Sequence, residues 1–558
     1  MRRKLRALAL LGTWASVNLA GCGDTLLRPL VEEGTPAAGG PSAGGVSASG
    51  GADGGIGNAS AGLGPVGGGG EAGACADCGL FPKLPLIVAP LPSDIASRFG
   101  PAGSGARSGG PCLIEPESGS LFPRNWLPPR FSWSAFSART AIEIRVHVDT
   151  EANDLVVYTS NAAWTLDPAI WTALARDDSD HAIEIATRSL NLDDPKSVPA
   201  LGSQATITIA PADAPGTIAY TAAGTAIRGF RTGTESVITI EQAGAGRCLG
   251  CHTGTPGNTF IAYSEAAASD LPDGQLGALQ LRLARDRVTA ATAVSSPIGL
   301  SLLARPSQHQ ATFSGAHWGA GDFRVISLYQ RHLIWTDLDA ASTDMNVGWG
   351  LLNRTGDPGE VSSGPQWSHD GTFVLYATGT GTDDGGIISK GDLYRVPYAA
   401  GLGGTATPIA GASDAAWNEY YPSLSPDDRQ IAYARAPAAE DSFHNAAAEI
   451  FIVPVAGGTP LRISANDPAA CLGTHSPGVT NSWPRWAPAA TVTNGRTFYW
   501  LTFSSKRTDS KLAQVYMTPV VLERSGAVST YPAILLWNQA ASEANYSPSW
   551  TALQLPPD

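Results

Sequence analysis

The sequence predicts an all-β protein: a β-sandwich followed by a six-bladed β-propeller whose closing blade is built from both ends of the repeat region. Three observations lead there. Residues 81–212 carry short runs in which apolar and polar residues alternate with period two. Residues 255–550 repeat a unit of strand, tight turn and apolar strand. Strand-like segments also stand unaccompanied at the two ends of that repeat region, three before it and one after it.

The chain opens with Arg2, Arg3, Lys4 and Arg6, then a short apolar run from Ala7 to Ala20, then Leu19-Ala20-Gly21-Cys22 across its end. The run is too short to span a bilayer as a helix. The arrangement resembles the leader and lipobox of bacterial lipoproteins. That resemblance implies removal of residues 1–21, acylation of Cys22 as a membrane anchor, and a protein exported to the cell envelope, whether periplasm, outer membrane or cell surface. Residues 22–80 are rich in Gly, Ala and Ser and read as a flexible tether. The formal net charge of −13, with no basic patch, excludes nucleic acid as a partner. The remaining partners are the membrane, through Cys22, and a redox or docking protein.

Residues 81–212 contain Phe131-Ser-Trp133, Ile142 to Val148, Leu155 to Tyr158, His181 to Ile185 and Ala205 to Ile209, separated by turn residues. These are half-buried antiparallel strands by their alternation. Pro129-Arg-Phe-Ser-Trp133 resembles an early core strand of immunoglobulin-like or fibronectin-III-like sandwiches.

From residue 213 the chain reads as propeller. Thr255 to Tyr263, Ser368 to Tyr376 and Ser425 to Tyr433 align without gaps around one turn motif. Each is followed by a third strand, at Gln280 to Leu283, Asp392 to Pro397 and Glu449 to Pro454. Further copies start at Thr312 and Trp483. This pattern resembles the TolB-type β-propeller repeat, a likeness that speaks to fold and not to activity. Asn545 to Trp550 matches only a first strand, while Thr217 to Tyr220, Ala226 to Phe230 and Val237 to Ile240 match strands two to four. Together they make a sixth blade, which removes the exposed edges of an open array.

Between these segments lies Cys248-Leu249-Gly250-Cys251-His252. C-x-x-C-H is the attachment sequence of c-type haem: two thiols form thioethers to one porphyrin and the histidine binds the iron. Cys248 and Cys251 are thus the expected covalent sites of haem c, and His252 the proximal iron ligand. His252 aligns with Pro365 and Pro422, which places the group at the channel mouth or against the inner strands of blade one. His309 and His317 are candidates for the distal ligand, with His369 of the same kind, and an open iron is the alternative. Met517 reads as core. Trp367, Trp483, Trp486 and Trp550 read as wedges between blades or as an aromatic rim. Asp383-Asp384 offers too few ligands for a cation. Cys75, Cys78, Cys112 and Cys471 remain, an even number suited to disulfides in an oxidising compartment.

Three functions compete on this reading. The first is an anchored c-type cytochrome-like propeller carrying electrons or sensing redox state. The second is a scaffold propeller binding proteins or glycans. The third is a haem-dependent oxidoreductase. The sequence has no G-x-S-x-G elbow and no H-E-x-x-H pair to name another chemistry.

Overall fold

The structure is a computed structural model that describes residues 79–555, apart from 135–138, 246, 259, 268–278, 284–308, 320, 341–343, 345 and 383–385. The expectations for Cys22, the tether, Cys75, Cys78 and Asp383-Asp384 lie outside the described residues.

The protein is all-β, with a sandwich in front of a propeller. The sandwich pairs a six-stranded sheet, centred on Thr140–His147 and Ala182–Asn191, with a three-stranded sheet containing Arg130–Trp133. Alternation selects its core: Ile142, Ile144 and Val146 are all within 1% of full burial and face the second sheet's Phe131. Two helices depart from the strand-only reading, the shorter being Ile95–Phe99. Pro168–Asp177 is a helix that buries Trp171, Leu174 and Ala175. The side chain of Asp167 accepts from the amides of Ala169 and Ile170, and Pro168 stands in the first turn, where its missing N–H costs nothing. Those start signals are legible in the sequence. A buried ion pair braces the sandwich: Arg188 donates twice to Glu143, at 2.8 and 2.6 Å, and its remaining nitrogen donates to the carbonyls of Phe99, Pro101 and Ser104.

Among the described residues the propeller has six blade sheets and, beside them, a two-stranded pairing of Asn353–Thr355 with Gly403–Thr405. Blades one to five begin with the inner strands Arg247–Gly254, His309–Thr312, Val361–Trp367, Trp417–Leu424 and Ser482–Trp486. Blade six is composite, as expected: Asn545–Thr551 pairs antiparallel with Thr217–Ala222, followed by Ala226–Arg231 and Ile238–Gln242. Each inner strand touches the next, and the inner strand of blade six touches those of blades five and one, so the ring closes. Leu279–Leu283 is the third strand of blade one, where Gln280 to Leu283 was expected.

The sandwich and propeller share a core. Phe131 and Trp171 belong to one hydrophobic cluster with Trp500, Val515 and Met517 of blade five and Tyr220, Phe230 and Trp550 of blade six. Met517 is therefore core, as its third-strand position implied. Trp537 Nε1 donates to Pro128 O, Trp500 Nε1 to Asp213 O, and Arg496 pairs with Asp180 at 2.6 Å. A disulfide between Cys112 of the sandwich and Cys471, after blade four, staples the same face across 359 residues of sequence.

Two predictions follow from this joint. Replacing Cys471 by Ser opens a very long loop in the unfolded chain, and a thermal scan should show stability falling by about 2–5 kcal/mol. An unchanged melting temperature would mean that the staple contributes nothing. Beside it, burial and the neighbouring Glu117 push the Glu115 carboxyl up to about 8, against a partial offset from Arg507. The native state then holds a proton that the unfolded chain releases above its ordinary value near 4.5, so stability falls as pH rises from about 4.5 to 8. Glu115→Gln should flatten that decline in melting temperature. An equal slope in the variant would assign the pH dependence elsewhere.

Candidate functional site

A bulge interrupts every inner strand, where two consecutive residues face one on the second strand. In five blades the first bulge residue has a left-handed backbone: Gln310 (φ 53°), Gly364 (57°), Tyr421 (50°), Trp483 (54°) and Ser547 (48°). For non-glycine residues that conformation costs about 1–2 kcal/mol each, so its recurrence marks a constraint of the ring and not a local preference. In blade one the bulge residues are Gly250 and Cys251, one position further from the turn, so that counted back from the turn Cys251 aligns with these five. All six line a central cavity of about 430 Å³.

The next position carries Ala311, Pro365, Pro422, Pro484 and Pro548, and in blade one His252. The one after carries Thr253, Thr312, Gln366, Ser423, Arg485 and Ser549, all on the cavity wall. Blade one therefore places a thiol and an imidazole, and blade five a guanidinium, where the other blades carry neutral or unreactive groups.

His252 is 9% exposed. Its Nδ1 stands 3.4 Å from Thr221 Oγ1, while its Nε2 is buried with no hydrogen-bond partner among the described residues. Burial pushes its pKa down to about 4, with a backbone bond at Ala219 opposing and the charge of Arg485 adding to the effect. The ring is neutral at physiological pH, the form in which imidazole binds a metal. Cys251 is half-buried on the cavity wall.

Cys248 differs. It is 4% exposed, stands outside the cavity lining, and pairs in register with Ala266. Burial raises its thiol pKa. The motif lies on an extended strand, and both cysteines are thiols in the structure. Three residues of strand span roughly 10 Å, against about 5–6 Å for the same spacing on a helical turn. The orphaned Nε2 and the thiol of Cys251 fit a haem in the cavity, whereas Cys248 meets the same ring only if the strand turns at Gly250.

The distal candidates separate. His317 stands in the seam between blades two and three and not on the cavity wall. Its Nδ1 bonds Asp322 Oδ2 at 2.7 Å, its Nε2 bonds Gly371 O at 3.2 Å, and its ring stacks on Trp367 at 4.7 Å. Both nitrogens are thus engaged, because the blade-two turn is carried outward by the short helix Gly315–His317. The backbone of His309 pairs with Leu328 on the inner strand, and its side chain lies outside the described residues. His369 borders the cavity, with Nδ1 bonded to Asp428 at 2.7 Å.

The four tryptophans satisfy both readings. Trp367, Trp483, Trp486 and Trp550 are 3–7% exposed within interblade cores, and each presents an edge to the cavity. Trp483 stacks on Tyr421 at 5.3 Å and meets Phe443 and Tyr546 edge-on or tilted. Arg485 is the charged cavity-wall residue that the sequence reading passed over. The repeat alignment held the signal, since Arg485 falls in a column otherwise made of Thr, Ser and Gln.

Compared with known proteins, the chain matches no family model and no curated protein. Among solved structures it is similar to the mitotic checkpoint complex, at 10% identity over 57% of this chain and 76% of that one, with a TM-score of 0.31. It is also similar to an oligogalacturonate lyase in complex with manganese (11% identity, 64% of this chain and 87% of that one, TM-score 0.27). Hydrazine synthase of Kuenenia stuttgartiensis is similar at 11% identity over 56% of this chain and 90% of that one, with a TM-score of 0.25. No residue role is carried over from any of them.

The Trp483 cluster generates a prediction. Trp483→Ala removes the ring that Tyr421, Phe443 and Tyr546 pack against, and should lower stability by about 3–5 kcal/mol in a denaturant or thermal scan. A loss below about 1 kcal/mol would show that these rings do not hold blades four, five and six together.

Proposed function

We propose that this protein is an exported, lipid-anchored c-type cytochrome-like propeller. It holds haem c in its central channel and serves electron transfer or redox sensing. The observation that carries the reading is His252: a neutral, buried imidazole whose Nε2 has no hydrogen-bond partner among the described residues, on the wall of a cavity, next to Cys251 and inside a C-x-x-C-H sequence. Bound haem supplies a one-electron couple, and the chain's part is to attach, orient and enclose it. Cys251 and Cys248 are the attachment thiols and His252 the iron ligand. The interblade tryptophans add apolar surface to a wall of mixed polarity, and such surroundings tune the potential of any redox group inside. The leader and Cys22 place the protein in the envelope, where thioether formation takes place on the exported chain. A redox protein is the partner that this assignment requires.

A second reading is favoured by Cys248, which in the extended strand is buried away from the cavity. On that reading the propeller is a scaffold and the motif a structural variant of an inner strand.

A pyridine haemochrome spectrum decides between them, taken on protein exported in a host with haem-maturation machinery. Wild type should give a c-type band, and Cys251→Ala should lose it. Cys248→Ala should retain a single thioether, with a band displaced to longer wavelength because one vinyl group stays conjugated. No covalent haem in matured wild-type protein would sink the cytochrome reading and leave the scaffold.

A further inference from the structure

We infer that the central channel is a binding site for a carboxylate carried on a flat apolar body, gripped by Arg485. The inference deepens the reading above where the carboxylate is a haem propionate, but stands independently of it where the ligand is a free organic acid.

Two fully buried arginines elsewhere in this molecule saturate their donors. Arg188 spends all three nitrogens, on Glu143 and on three carbonyls. Arg507 also spends all three, donating to Ser505 Oγ, the carbonyls of Ala465 and Asp467, and Asn481 Oδ1, while its plane lies over Phe503 and Tyr516. A guanidinium withdrawn from water needs such partners, because its donors lose their hydration.

Arg485 is half-buried against the cavity, and desolvation pulls its pKa down to about 10, so it remains a cation at neutral pH. Yet its bonds are two donations from one nitrogen: Nη1 donates to Pro422 O at 3.3 Å and to Pro484 O at 3.0 Å. Among the described residues Nε and Nη2 have no hydrogen-bond partner and no carboxylate pairs with it. They are not enclosed by protein, since neither is a buried orphan, and Arg485 lies on the cavity wall. The open edge of the fork therefore looks into the channel.

The rest of the wall is consistent with an anionic guest. Among the described residues Arg485 is its sole permanently charged member, in a protein of formal charge −13. Beside it in the same ring stand the hydroxyls of Ser423 and Ser549, the latter buried with no hydrogen-bond partner. Around them are the edges of Trp483, Trp486 and Tyr421. A planar fork, two hydroxyls and aromatic walls match a carboxylate on a flat body, which takes bidentate donation at one end and apolar contact along the other.

The test uses benzoate as probe and benzyl alcohol as its neutral counterpart, titrated calorimetrically into the full chain. One sample is the Cys248→Ala/Cys251→Ala variant, which carries no thioether; wild type exported without maturation machinery replaces it if the variant fails to fold. The second is haem-loaded wild type. Benzoate should bind the haem-free protein, benzyl alcohol should not, and Arg485→Gln should weaken benzoate roughly tenfold or more. The glutamine is what blade three carries at that position, so the variant is compatible with the ring; Arg485→Lys keeps the charge without the fork and should fall between the two. Benzoate excluded only from haem-loaded protein assigns the site to a propionate, and binding in both forms assigns it to a free acid. Equal benzoate affinity in wild type and Arg485→Gln, or no binding in the haem-free protein, overturns the inference. The haemochrome spectrum is read separately, so absence of haem and absence of an anion site are distinguishable results.

Discussion

The pairing of Asn545–Thr551 with Thr217–Ala222 is the constraint on which the rest of the structure depends. A propeller sheet is stable only when each blade packs on two neighbours, and an open ring leaves two faces and two strand edges exposed. Here the two ends of the domain meet in one blade more than 320 residues of sequence apart, so the non-local pairing fixes every interblade angle. Gly216, at φ 92°, shows how close that approach is: a Cβ there would stand 2.4 Å from the carbonyl of Thr551. The shared core with the sandwich and the Cys112–Cys471 disulfide act on the same region. The sandwich is thus a brace on blades five and six.

Closure has a consequence at the centre. Six inner strands converging on one axis cannot all run straight, and each relieves the crowding with a bulge. The bulge turns one side chain per blade into the channel and presents the following residues beside it. The fold thereby offers a fixed set of six equivalent positions per layer, most filled with Pro, Ser, Thr, Gly or aromatic residues. Chemistry enters by substitution at these positions: Cys251 and His252 in blade one, Arg485 in blade five. Neither pair of neighbours is close in sequence, yet the electrostatic influence of Arg485 reaches both Cys251 and His252.

Burial gives these groups their properties. The wall is aromatic and poor in charge, so His252 is held neutral and Arg485 is held with donors unspent. Elsewhere in the interior Glu143 and Arg188 satisfy each other. What marks the channel as the candidate site is the meeting of Cys251, His252 and Arg485 on one cavity wall.

Much of this was decided by the sequence alone. Period-two alternation, the recurring turn and the unmatched terminal segments determined a sandwich, a propeller and a composite blade, because each records a local periodicity or a simple count of strands. The five residues of the C-x-x-C-H sequence drew attention to Cys248, Cys251 and His252 as candidates. The tertiary structure decided what those residues face. It turned His317 into a seam residue bonded through both nitrogens, set Cys248 behind the strand while Cys251 and His252 reach the cavity, and joined Cys112 to Cys471. It also brought Arg485 to the same cavity as His252, across 233 positions of sequence. The reason is physical: alternation fixes which residues share a face within one strand, but ring closure and the bulge fix which faces meet at the axis, and those depend on every blade at once.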